Sequence, residues 1–273
     1  MAITLDDCSK YVTKLLIAHG LDEDYTDSFQ RCSFKFAKSI YCNYVQILQN
    51  ISDDDEFIMK SFSLFLWAYY TDSTLDLKSE NPWQQPKYMF AAMSLYHDYL
   101  FWLQNAYPPE CFALFRKLYS EQLSYQVLEK QWEMPASYCK TFYTYTQYYQ
   151  KQNILLFPIY LGITYHKKHS LNGEKMIVDI LKLYYSIMLA LDDIVDIQYD
   201  LSFLTLTPLF SKYYYNHNFS LPTTSSEFNL EIENARQELM RLKADLNSMC
   251  AKTNFQSKLL FDRIDKLWER VWK

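Results

Sequence analysis

Glycine occupies only 3 of the 273 positions, where average usage would place about 19. A sheet protein with many tight turns needs residues that tolerate positive φ, and glycine is the default supplier. A chain so poor in it is directed toward helices. Proline and polar clusters cut the sequence into helix-length segments, with breaks at residues 20–22, 52–55, 81–86, 107–109, 134–137, 166–173 and 216–226. Between the breaks, apolar residues recur at helical spacing. Phe62, Phe65, Leu66 and Tyr69 form one such face, and Leu239, Leu242, Leu246 and Met249 another. Thr224-Ser225-Ser226-Glu227 reads as a capping box opening the last long segment. There is no internal repeat and no linker long enough to separate a pair of domains. The expectation is one all-α domain over residues 1–273, built from about nine to eleven helices.

Charge and composition exclude several classes. The 27 basic residues are outnumbered by 32 acidic ones, which argues against a general nucleic-acid binder. With 49% hydrophobic residues the chain is neither disordered nor low-complexity. No run of about 18 uncharged apolar residues is present, so no integral membrane segment is expected. The N-terminal residues carry Asp6, Asp7 and Lys10 in place of the apolar core of a signal peptide. Six cysteines are scattered without a CxxC pair, so the protein reads as reduced and cytoplasmic. His166-Lys167-Lys168-His169 reads as a solvated loop.

Three acidic clusters stand out. Asp53-Asp54-Asp55-Glu56 opens a helical segment, where the macrodipole stabilises carboxylates, and is structural. Asp72-Ser73-Thr74-Leu75-Asp76 closes a very apolar run, at a helix end that disfavours negative charge. Its two acids project about 40° apart on one face. The third cluster is Asp192-Asp193-Ile194-Val195-Asp196-Ile197-Gln198-Tyr199-Asp200. Asp192, Asp196 and Asp200 share the i, i+4, i+8 register and repel one another by a few tenths of a kcal/mol per pair. No lysine or arginine lies between Lys182 and Lys212 to offset them. A hard cation, Mg²⁺ before zinc, is the simplest neutraliser of oxygen-only ligands. If the second and third clusters face each other, the acids ring the mouth of an apolar cavity suited to a diphosphate head and a hydrocarbon tail.

DSTLD and DDIVDIQYD resemble the paired aspartate-rich motifs of the class I isoprenoid synthases, the superfamily of prenyl diphosphate synthases, squalene and phytoene synthases and terpene cyclases. The motifs occur in the family's order, 120 positions apart. Asp192 to Asp196 is a full DDxxD, while Ser73 takes the second aspartate's place in the first motif. The resemblance implies a helical bundle of the isoprenoid synthase type around a deep apolar cavity. It implies three Mg²⁺ ions held by Asp72, Asp76, Asp192, Asp196 and Asp200, with Asp72, Asp76 and Asp192 acting catalytically on a prenyl diphosphate. Lys140, Lys151 and Arg270 are the candidate diphosphate-binding cations, Arg270 lying 78 positions past Asp192. Helical spacing places Phe65 and Tyr69 below Asp72, and Tyr185 and Met188 below Asp192, as the candidate wall of the substrate cavity.

Within that superfamily the sequence lacks the Arg-Arg pair that follows the first motif of chain-elongating synthases. It also lacks the characteristic glycines of squalene and phytoene synthases, although Tyr138-Cys139 resembles their tyrosine–cysteine pair. A terpene synthase that ionises one linear prenyl diphosphate is therefore the first expectation. A coupling prenyltransferase is the alternative, and a non-enzymatic helical scaffold with acidic partner-binding patches is the alternative from another class. A homodimer is left open as the assembly.

Overall fold

The computed structural model describes all residues except 1–2, 76–85, 130–135, 169–172, 203–206, 219, 221, 223, 254, 256 and 273. The side chains of residues 36, 73, 75, 87, 129 and 198–202 also lie outside the description. Among the described residues every regular element is helical. In chain order the α-helices are α1 (Leu5–Ala18), α2 (Glu23–Ile40), α3 (Gln46–Ile51), α4 (Asp55–Leu75), α5 (Pro86–Ala106), α6 (Pro109–Glu129), α7 (Ala136–Thr141), α8 (Phe157–Tyr165), α9 (Glu174–Ser202), α10 (Ser211–Asn216), α11 (Ser225–Cys250) and α12 (Lys258–Trp272). A π-helical turn, Tyr41–Val45, joins α2 to α3, and 3-10 turns cover Tyr148–Leu156 and Pro208–Phe210. The helices outnumber the expected nine to eleven because α3, α7 and α10 are six-residue pieces too short for an apolar period to register. The expected breaks coincide with helix ends wherever their residues are described.

The chain divides into two compact units, residues 1–118 with 154–169, and residues 119–153 with 170–273. In the first unit α4 is the central element. Every residue from Ser61 to Ala68 is buried, so this helix is enclosed on all sides instead of showing one apolar stripe. Its buried hydroxyls turn inward, Ser61 Oγ donating to the Phe57 carbonyl at 2.7 Å. Lys60 pairs with Asp98 of α5 at 2.7 Å, and Tyr11 of α1 adds a hydroxyl contact to the same carboxylate.

At the start of α4 the acidic cluster caps the helix as the macrodipole argument requires. Asp54 accepts from the Phe57 amide at 2.9 Å and Asp53 pairs with Lys168. Residues 166–168 are not a free solvated loop. Ser52 and Lys167 form an isolated bridge, the only extended pairing among the described residues. His166 Nδ1 sits 2.9 Å from Asp54, its ring stacks on Phe57, and Tyr107 closes on Nε2. Burial and nearby acids push the Tyr107 hydroxyl upward, so it keeps its proton and donates. The sequence reading missed this clamp because its members come from three segments far apart in the chain.

Gly162 of α8 is tightly enclosed by its neighbours. A Cβ there would lie 3.1 Å from Ile51 Cγ2 and 3.3 Å from the Phe57 ring. Both neighbours are fully buried, and Phe57 is held against His166. Gly162→Ala gains about 1 kcal/mol of helix propensity and overpacks at a cost of about 1–3 kcal/mol. A net loss of about 1 kcal/mol is expected in urea unfolding; a stabilised variant would show that the contact yields.

The second unit is built on α9, twenty-nine residues long, about 43 Å at 1.5 Å per residue. α11 and α12 pack along it. Thr224 and Glu227 form the expected capping box at the start of α11, each side chain meeting the other's backbone amide. Ala235, Leu239, Leu242 and Leu246 then give α11 its buried face. Arg236 and Lys243 lie over Trp272 and Trp268 of α12. No described helix is long and apolar enough to cross a membrane, and all six cysteines are free.

Candidate functional site

The candidate site is the acidic stretch of α9. Asp193 lies at the register of Ser186, Ala190 and Ile197, all buried, so helix geometry sends its carboxylate inward. There it accepts from the ammonium of Lys151 at 2.8 and 3.0 Å and from the hydroxyls of Tyr148 and Thr207. Lys151 and Asp193 are each 12% exposed. Burial and the adjacent carboxylate push the Tyr148 hydroxyl well above its ordinary range, which keeps it a donor. Seven residues upstream, Ser186 Oγ accepts from the Tyr149 amide at 3.0 Å and donates to the Thr146 carbonyl at 3.2 Å. The segment 146–151 is thus fastened to α9 at two levels, two turns apart.

Asp192 projects about 100° away from Asp193 and reaches solvent, while Asp196 is half-buried. Protein atoms crowd the Asp192 carboxyl even so, and its pKa is pushed up to about 7. Lost hydration is the first cause, followed by the charges of Asp196 and Asp193; Lys151 and Arg270 pull the other way and do not compensate. Its nearest like charges are Asp196, one turn on, and Asp193, its neighbour in the chain. The site therefore concentrates negative charge where a cation can reach it.

This shift fixes the sign of a pH dependence. An unfolded aspartate releases its proton near pH 4, whereas folded Asp192 holds it to about pH 7. Between those values the folded state binds the extra proton, so this group's contribution to stability is greatest in acid and falls as pH rises to about 7. Solvent screening at an exposed carboxyl limits the change to about 1 kcal/mol. Wild type and Asp192→Asn should differ little near pH 4, and the variant should be the more stable above pH 7. Parallel urea-unfolding curves across that range would contradict the assignment.

The other expected site residues are placed as follows. Asp72 is in the last turn of α4, half-buried; Asp76 and the side chain of Asp200 lie outside the described residues. Phe65 is fully buried and Tyr69 half-buried, both packed on Tyr44 of the π-helical turn. Tyr185 is buried beside Tyr184, and Met188 is half-buried. Lys140 is exposed on the last turn of α7. Arg270 is exposed on α12, close enough to lower the proton affinity of Asp192. Among the described residues no group of three His, Cys, Asp or Glu side chains is arranged to hold a metal ion. The structure thus brings Asp192, Asp196, Lys151 and Arg270 into one electrostatic neighbourhood.

No family model, curated protein or solved structure matches this chain. The reading of the site therefore rests on its chemistry.

Sequence reasoning missed Asp193, Tyr148 and Thr207 as a unit. One signal was available: Asp193 continues the inward register of Ser186 and Ala190, while its neighbour Asp192 does not. Nothing local pairs it with Lys151, 42 positions earlier.

Proposed function

We propose that the chain is a Mg²⁺-dependent terpene synthase of the class I isoprenoid type, ionising a linear prenyl diphosphate. The feature that supports this reading is the acidic pair Asp192 and Asp196, one turn apart on α9, where lost hydration first and the neighbouring carboxylates second push the Asp192 carboxyl up to about 7. The donor set is oxygen-only, which suits a hard cation that retains water and substrate phosphate in its shell. Asp192 and Asp196, with Asp200 in the same register, are the residues of this stretch that would hold it. Bound there, Mg²⁺ would neutralise the diphosphate and ease scission of the C–O bond.

The chain's own groups carry the remaining work. Arg270, exposed and near enough to act on the charge of Asp192, supplies a guanidinium whose fork of N–H groups can donate to phosphate oxygens. Tyr185 and Met188 lie two turns and one turn below Asp192 along α9, where they would orient an apolar tail. Aromatic faces there stabilise developing positive charge by about 0.5–2 kcal/mol each. Keeping water from that charge decides whether a hydrocarbon or an alcohol results.

The test incubates purified protein with Mg²⁺ and, separately, geranyl, farnesyl, geranylgeranyl and geranylfarnesyl diphosphates. Released diphosphate is assayed and extracts are analysed by gas chromatography–mass spectrometry. A terpene from at least one substrate, abolished by chelator, is the expected result. Absence of turnover with all four would overturn the proposal.

A further inference from the structure

Resting on the magnesium reading above, we propose that Asp193 is the positioning residue of the acidic stripe. It stays out of the metal-binding set and fixes the rotation of α9 about its axis, and with it the direction in which Asp192 and Asp196 face. A carboxylate offers about four lone-pair sites. Tyr148, Thr207 and Lys151 converge on Oδ2, and Lys151 also reaches Oδ1. A metal would have to displace a buried ammonium to bind there.

The donors come from two segments, and those segments are tied to each other. Tyr145 donates from its hydroxyl to the Leu209 carbonyl at 2.9 Å, and Thr207 Oγ1 accepts from the Leu209 amide at 3.3 Å. With the Ser186 contacts two turns upstream, this makes a closed frame that grips α9 at two heights. Repulsion between Asp192 and Asp196, one turn apart on the same helix, would otherwise be relieved by fraying this stretch. The frame resists that movement, so the cost of gathering like charges is met by bonds that touch neither of them.

The experiment titrates Mn²⁺ into the full chain in the presence of inorganic pyrophosphate, with binding read by electron paramagnetic resonance and folding by thermal unfolding. Tyr148→Phe and Thr207→Val each remove one donor from Asp193 and keep its pairing with Lys151. Each is expected to weaken Mn²⁺ binding several-fold, toward the tenfold typical of residues that orient a ligand. Asp193→Asn should weaken it comparably, and adding Tyr148→Phe to it should cost nothing more, because the hydroxyl acts through Asp193.

Abolished binding in Asp193→Asn with an unaffected Tyr148→Phe would make Asp193 a ligand and overturn the proposal. Lowered thermal midpoints with unchanged Mn²⁺ affinity would reduce the frame to a structural element and overturn it too. If Asp193→Asn does not fold, the two single-donor variants decide. A wild-type chain that binds no Mn²⁺ would instead reject the magnesium reading itself.

Discussion

Lys151→Met is expected to destabilise the protein by about 3–5 kcal/mol, the cost of leaving a buried carboxylate without its cation. Lys151 and Asp193 are equally enclosed, and the two hydroxyls that remain on Asp193 cannot replace a full charge. For a chain of this size the loss corresponds to roughly 10 °C in the thermal midpoint. The decisive comparison is the double variant Lys151→Met/Asp193→Asn. It removes both charges yet keeps an acceptor for Tyr148 and Thr207, and it should recover more than half of the loss. A single variant as stable as wild type, or a double variant no better than the single, would show that the pair is not a buried charge partnership.

Asp192→Ala is expected to act in the opposite manner. The carboxyl is exposed, and lost hydration followed by the charges of its neighbours pushes it up to about 7, so its removal relieves repulsion and leaves the helical fold at least as stable. On the proposed function it removes a ligand for the ion that neutralises the leaving group. A loss of at least about hundredfold in diphosphate release should follow. Circular dichroism and steady-state turnover on the same preparation separate the two effects. Retained turnover in a folded Asp192→Ala protein would reject the role given to the acidic stripe.

Helix boundaries were legible where local chemistry sets them. Pro109 opens α6, Thr224 and Glu227 cap α11, and Asp54 caps α4, each through a residue acting on backbone groups within one turn. The π-helical turn at Tyr41–Val45 and the non-helical Gln152 inside the 3-10 stretch had no such signal. The π-helical turn packs on distant segments, Tyr41 donating to the Ile3 carbonyl and Tyr44 meeting the Phe65 ring. The outward acids of α9 were readable from their spacing of four. The inward acid was not, because its partners Tyr148, Lys151 and Thr207 lie 45 and 42 positions before it and 14 after. Lys151 illustrates the difficulty: its charge and position suggested a phosphate partner, while the folded chain supplies a carboxylate first.

The central proposition is that the outward acids of α9 hold divalent cations against a diphosphate. Crystals grown with Mn²⁺ and inorganic pyrophosphate test it most directly, through anomalous scattering at the manganese edge. Peaks about 2.2 Å from the carboxylate oxygens of Asp192 and Asp196, with Asp193 still paired to Lys151, are the expected result. A map with manganese elsewhere, or with none beside that stripe while pyrophosphate is bound at another place, would contradict it.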